Sequence, residues 1–169
     1  LILEKETVFF DFAFRKRSNN YDFYFNSGNS TIGMYGKNLL NATGDWKVGL
    51  ANPVLENKVE NFVASIGIQG EQFLSTSGDY QQYFYYLDET DNKKIMHHII
   101  DPYKGISNDY IRSVSLVSTN ASLHLLDALS TTLFNVENQD EINEIISLFE
   151  QTYTCDINYI IAINSYNNY

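Results

Sequence analysis

The stretch Thr7-Val8-Phe9-Phe10-Asp11-Phe12-Ala13-Phe14-Arg15, with Tyr21-Asp22-Phe23-Tyr24-Phe25 just beyond it, decides the fold class. Val8, Phe10, Phe12 and Phe14 share one face, and Phe9, Asp11, Ala13 and Arg15 share the other. A period of two is the signature of a half-buried strand. Tyr21, Phe23 and Phe25 against Asp22 and Tyr24 repeat it. Ser18-Asn19-Asn20 between the runs is turn chemistry, so the pair reads as a hairpin.

Working outward, Asn26-Ser27-Gly28-Asn29-Ser30 closes the second strand. Trp46, Val48 and Leu50 alternate with Lys47 and Gly49 after Thr43-Gly44-Asp45. Phe62, Ala64, Ile66 and Ile68 run to Gly70. Tyr83–Leu87 follows the turn signal Ser77-Gly78-Asp79, and Lys94–Ile100 follows the charged loop Asp88–Asn92. Arg112, Val114 and Leu116 form the last strand of this block. Frequent turn signals between short alternating runs point to a sandwich or barrel.

The period then changes. Leu125, Ala128, Leu129, Thr132 and Leu133 line one helical face, with Asn120 as the expected cap. Asn138 followed by Glu141 is an Asn variant of the capping box. Ile142, Ile145, Ile146 and Phe149 recur at i, i+3, i+4 and i+7. Ile157–Ile163 is nearly continuous and β-branched, which predicts a buried strand.

The predicted fold is therefore mainly β (α+β): an antiparallel sandwich of jelly-roll type with two C-terminal helices and a final buried strand. The alternative is an α+β sheet with helices on one face. Residues 1–169 form one domain, with strands over 1–119, helix-helix-strand over 120–163 and a loose tail over 164–169.

Composition narrows the function. The chain has 169 residues, 44% hydrophobic and 19% charged, with a net charge of -10. It contains no Lys or Arg after Arg112, while seven acids follow. That balance argues against nucleic-acid binding, which draws its affinity from cations on phosphates. It favours self-association or other protein subunits, through a cationic surface against the acidic C-terminal face. No run approaches a membrane span. The lone Cys155 excludes an intrachain disulfide and favours a virion or intracellular setting over a secreted one. The chain starts at Leu1 without a signal-peptide pattern, the expectation being a processed product. Sequons stand at Asn29, Asn41 and Asn120, but 19 Asn and 24 Ser plus Thr generate roughly three by chance.

Candidate chemistry is sparse. His97 and His98, with Asp101 nearby, are the metal candidates, but neighbours on a strand point to opposite faces. Cys155 is a candidate nucleophile, set where small buried cysteines usually sit. Asp88, Glu89 and Asp91 read as a solvated turn beside Lys93 and Lys94. No phosphate-cradling loop, nucleophile elbow or dinucleotide fingerprint is present, so no cofactor is expected. Arg15-Lys16-Arg17 reads as an edge gatekeeper or as a docking patch. Tyr83, Phe84, Tyr85 and Tyr86 give a strand whose two faces both want cover, from core or from a partner. The interface candidates are Arg15, Lys16, Arg17, Tyr83, Tyr85, Glu141 and Glu144.

One short resemblance adds to this. Gly44-Asp45-Trp46-Lys47-Val48-Gly49-Leu50-Ala51 is similar to the Trp-x-Val-x-Leu strand of penton-like, single jelly-roll minor capsid proteins of virophage and Polinton-type viruses. Asp109-Tyr110, ahead of a helix with Leu125-Leu126-Asp127-Ala128-Leu129, resembles their helical insertion. The resemblance implies a capsid subunit, symmetric assembly and no catalysis. The expectation is thus a non-enzymatic structural protein. The alternatives are an acidic module binding a cationic protein, and an enzyme using His97, His98, Asp101 or Cys155.

Overall fold

A computed structural model describes residues 10–16, 21–28, 30–38, 40–53, 62–80 and 82–164, with backbone alone for 10–16 and 21. Ten strands and two helices follow in the order β1(Phe10–Lys16), β2(Tyr21–Ser27), β3(Thr31–Tyr35), β4(Trp46–Ala51), β5(Phe62–Ile68), β6(Gln72–Gly78), β7(Tyr83–Leu87), β8(Lys93–His97), β9(Ile111–Ser118), α1(Leu123–Phe134), α2(Gln139–Tyr153) and β10(Asn158–Ile163). One sheet of six strands has the order β1-β2-β3-β6-β9-β10, every neighbour antiparallel. β4–β5 and β7–β8 are separate two-stranded ribbons.

The opening hairpin forms as its alternation requires, with Arg15 opposite Asp22 and Lys16 opposite Tyr21. The two central strands carry weaker signals. β3, Thr31-Ile32-Gly33-Met34-Tyr35, is interrupted by a glycine. β6, Gln72-Phe73-Leu74-Ser75-Thr76-Ser77-Gly78, is half hydroxyls. Ser77-Gly78-Asp79, predicted as a turn, instead ends β6, and the turn falls at Asp79 and Tyr80.

Each face of the sheet has its own core. Ile32, Met34 and Leu74 pack with Val48, Leu50 and Ile68 of the β4–β5 ribbon. Val114 and Leu116 pack with Leu126, Leu129, Leu133 and Phe134 of α1 and with Ile142 and Ile146 of α2. Helices, sheet and ribbon make three layers. This is the alternative α+β arrangement. Among the described residues the strands do not form the two facing four-stranded sheets of a jelly roll, because the helices occupy one face.

Three local expectations are corrected. β10 is an edge strand rather than a buried one: it pairs only with β9, and Tyr159, Ile160 and Ile163 are exposed. The buried stripe of α1 is Leu126, Leu129, Ser130 and Leu133, turned from the predicted face, while Ala128 and Thr132 are exposed. The rotation puts a buried serine against β6. Ser122, not Asn120, is the N-cap of α1. Asn120 instead donates to the Thr154 carbonyl and accepts from the Asp156 N–H. The cap of α2 is as predicted: Asn138 Oδ1 accepts from the Asp140 N–H at 2.8 Å.

Candidate functional site

β6 carries Ser75 and Ser77 toward α1, because alternate residues share a face. Ser130, buried on α1, meets them: its Oγ is 2.8 Å from Ser77 Oγ and 3.3 Å from Ser75 Oγ. One helical turn earlier, Asp127 Oδ1 accepts from Ser75 Oγ at 3.1 Å and from Thr31 Oγ1 of β3 at 3.2 Å. One turn later, Thr131 Oγ1 lies 3.2 Å from Ser77 Oγ. A hydroxyl network thus seams α1 to the two central strands and fixes the Asp127 carboxylate. Oδ2 of Asp127 has no hydrogen bond among the described residues, so it remains available to a ligand.

This seam lines a cleft of about 370 Å³. Ser30, Thr76, Ser77 and Gly78 form its sheet wall, Asp127 and Thr131 its helix wall, and His98, Ile99 and Ile100 its third side. His98 Nδ1 lies 3.3 Å from the Gln82 carbonyl. A carbonyl can only accept, so Nδ1 carries the hydrogen of the neutral ring and Nε2 presents a lone pair. Any hard cation here would meet oxygen ligands, from Asp127 Oδ2 and the neighbouring hydroxyls.

His97 holds that third side in place. Its Nδ1 accepts from the Ile99 N–H at 3.3 Å, so Nε2 carries the hydrogen and donates to the Asn108 carbonyl at 2.7 Å. Its ring stands edge-on to Phe134 of α1 at 5.2 Å. Desolvation lowers its pKa below the ordinary histidine value, the Asn108 bond opposes that shift, and His98 and Arg112 reinforce it. A neutral His97 therefore pins the backbone that presents His98 to the cleft. Asp101 is committed elsewhere, accepting from the Tyr103 and Lys104 N–H groups, which hold its carboxyl below the usual range. His97, His98 and Asp101 do not converge. Among the described residues no three His, Cys, Asp or Glu side chains could hold one ion.

On the sheet beside the cleft, Arg112 Nε pairs with Asp79 Oδ2 at 2.8 Å, and Arg112 Nη2 donates to the Pro53 carbonyl at 2.9 Å. This ties the chain after β4 to the edge of β6. Asp79 Oδ1 is buried without a partner. Desolvation outweighs the attraction of Arg112 and pushes the Asp79 carboxyl up to about 6.

The other sequence candidates lie apart. Cys155 is buried beyond α2, and burial, then Glu150 and Asp156, push its thiol up, which disfavours a nucleophile. Tyr83 and Tyr85 are exposed on the β7–β8 ribbon, and Glu141 and Glu144 on α2. Arg15 and Lys16 end β1, their side chains undescribed, and Arg17 lies outside the described residues. Asp127, Ser130 and Thr131 drew no functional reading from sequence, because each sits among leucines in what reads as an ordinary amphipathic helix.

The sequence pattern of the ApbE family matches residues 16–154, which takes in β2 to β9, the cleft and both helices. The chain belongs to the ApbE family. In fold it resembles an ApbE protein from Thermotoga maritima, with 22% identity and a TM-score of 0.62 over 86% of this chain and 41% of that one. An apo flavinyl transferase, ApbE from Pseudomonas stutzeri, aligns at 17% identity with a TM-score of 0.49, over 85% of this chain and 42% of that one. The chain spans about two-fifths of the length of these solved ApbE proteins. No curated protein sequence matches it.

Membership of the ApbE family overturns the capsid reading, and with it the structural-protein and acidic-module readings. The Trp46–Leu50 motif is an alternating strand of the β4–β5 ribbon, and alternation alone is shared by many folds. Asp109-Tyr110 leads into β9 rather than into a helix.

Proposed function

We propose that the cleft beneath Asp127 holds part of the flavin-bearing substrate of a flavinyl transfer reaction. The observation that carries this reading is the fixed Asp127 carboxylate with one open oxygen, facing His98 across a hydroxyl-lined cleft, in a chain of the ApbE family. The P. stutzeri protein of that family is a flavinyl transferase, and the link is the shared family rather than the superposition. A flavin nucleotide presents a polyhydroxylated chain and phosphate as well as a ring. Ser77, Thr131 and the backbone at Gly78 suit the polar chain, since hydroxyls both donate and accept. A cleft of about 370 Å³ takes only a portion of such a molecule. The remainder would lie against parts of the ApbE fold that this chain does not span.

In this reading each side chain has a separate task. Asp127 orients the substrate through Oδ2. The Nε2 lone pair of His98 takes the proton from an acceptor hydroxyl as that oxygen bonds to the flavin-side phosphorus of flavin adenine dinucleotide, and the phosphoanhydride bond breaks to release adenosine monophosphate. Ser75, Thr31 and Ser130 hold Asp127, and His97 holds the segment bearing His98.

Flavin fluorescence during titration with flavin mononucleotide and flavin adenine dinucleotide tests this. D127N should weaken binding by about tenfold or more, the loss of a charged partner. H98Q should leave binding within about threefold and cut transfer by about a hundredfold or more. Failure of the chain to bind either nucleotide, or equal affinity in D127N, would overturn the reading.

A further inference from the structure

The β7–β8 ribbon and the outer face of α2 are two surfaces that neither the cores nor the cleft explains. Among the described residues the ribbon pairs only with itself, and a lone two-stranded ribbon gains little stability from its own ladder. Cross-strand partners share a face, so Tyr83, Tyr85, Leu87, Lys93, Ile95 and His97 lie together; His97 at one end is buried against Phe134, and the face opens toward Leu87 and Lys93. Tyr83 and Tyr85 meet edge to face at 5.6 Å, and the Lys93 ammonium sits 3.7 Å from the Tyr85 ring centre. Leu87 is 63% exposed. This is an aromatic patch carrying a cation, already ordered, on a molecule whose net charge is -10.

The complementary surface is on α2. Glu141, Glu144, Leu148 and Gln151 follow at i, i+3, i+7 and i+10, which sets them in one line along the helix. Leu148 is 64% exposed beside Glu144 in a shallow groove. Glu141 and Glu144 form no ion pair among the described residues, and no Lys or Arg follows Arg112 in the sequence. One surface offers exposed rings, a leucine and a lysine, the other an exposed leucine preceded by two carboxylates along the helix.

We infer that this chain associates with a second copy of itself, head to tail, by seating the Tyr83–Tyr85–Lys93 face of β7–β8 on the Glu141–Glu144–Leu148 stripe of α2. Lys93 meets the carboxylates, and Leu87 with the tyrosines covers Leu148. Unlike surfaces are joined, so the contact is heterologous and closes into a ring or extends as a chain. Lys94 lies on the opposite face of the ribbon and takes no part. The inference is independent of the flavin reading.

Sedimentation velocity over a concentration series, at low and high salt, decides it. The wild-type chain should associate, with an affinity that falls about tenfold or more between roughly 50 and 500 mM salt as screening shortens the reach of the charges. K93E, or E141K with E144K, should abolish association. The triple exchange K93E/E141K/E144K should restore it, and K94E should change it by less than about threefold, in line with a charge outside the contact. Circular dichroism checks that each variant is folded, and the salt series needs no variant. A strict monomer, salt-independent association, K94E as damaging as K93E, or a folded triple variant that fails to recover would each overturn the inference.

Discussion

Asp127 is exposed, yet its carboxylate has a fixed direction, because two hydroxyls from two different strands hold one oxygen and leave the other open. D127N should therefore act on ligand affinity far more than on folding, with a melting temperature within about 3 °C of wild type. Titration of two buried groups gives a second residue-scale outcome. His97 has a folded pKa below 6.5, so beneath that pH the unfolded chain takes a proton the folded chain resists. Its contribution to stability is complete above about pH 6.5 and is lost as pH falls further. Asp79 works in reverse. The folded carboxyl keeps its proton up to about 6 while the unfolded one gives it up near 3.8, so its contribution is full at low pH and is lost as pH rises through about 6. D79N removes that falling limb. Thermal unfolding between about pH 4 and 7 should show stability climbing more steeply with pH in D79N than in wild type. Parallel curves would show that Asp79 does not titrate there. None of this was legible in the sequence. The Asp79 shift depends on a burial that only the end of β6 creates, and His97 reads no differently from His98 until one is buried and the other exposed.

The elements were legible in proportion to their alternation. β1, β2, β4, β5 and β9 announce themselves by apolar residues at period two, β7 and β8 by the turn signals that flank them, and α2 by its cap and its i, i+3, i+4, i+7 stripe. β3 and β6 do not, although they are the middle of the sheet. Their positions at the hydroxyl seam of α1 are Thr31, Ser75 and Ser77, polar because they meet hydroxyls and a carboxylate, while Gly33 leaves room for the Phe73 ring. The same substitution of polarity for hydrophobicity misplaced the buried stripe of α1, where Ser130 stands in for an apolar residue. The strands and the helix whose patterns fail are those that build the cleft, as expected where function overrides packing. Ser130 is the hub between them. S130A removes one partner each from Ser75 and Ser77, which keep Asp127 and Thr131, and should lower stability by about 1 kcal/mol in urea unfolding. S130A should also loosen Asp127, so its flavin affinity should fall in the same direction as that of D127N. Removing the α2 cap, in N138A, should cost about 1 kcal/mol and leave the cleft unaffected.

At the scale of the whole molecule, one antiparallel sheet has helices on one face and a ribbon on the other, and the cleft opens where α1 crosses the central strands. Composition foresaw a β-rich chain with two helices and an acidic C-terminal end. It gave no means to tell a jelly roll from this layering, since both use short alternating strands. Among the described residues no helix is long and apolar enough to cross a membrane. The family shows in the pattern matched over residues 16–154, whereas the proposed site draws on single hydroxyls and one carboxylate spread over β3, β6 and α1 rather than on a compact motif. The central claim is that this assembly is where flavin meets the chain. Backbone amide shifts measured by NMR during titration with flavin mononucleotide test it most directly. Shifts concentrated at Ser30, Ser77, Gly78, His98–Ile100 and Asp127–Thr131, and lost in D127N, are the predicted result. Shifts centred instead on the cavity beside Trp46 and Phe62, or unchanged in D127N, would contradict it.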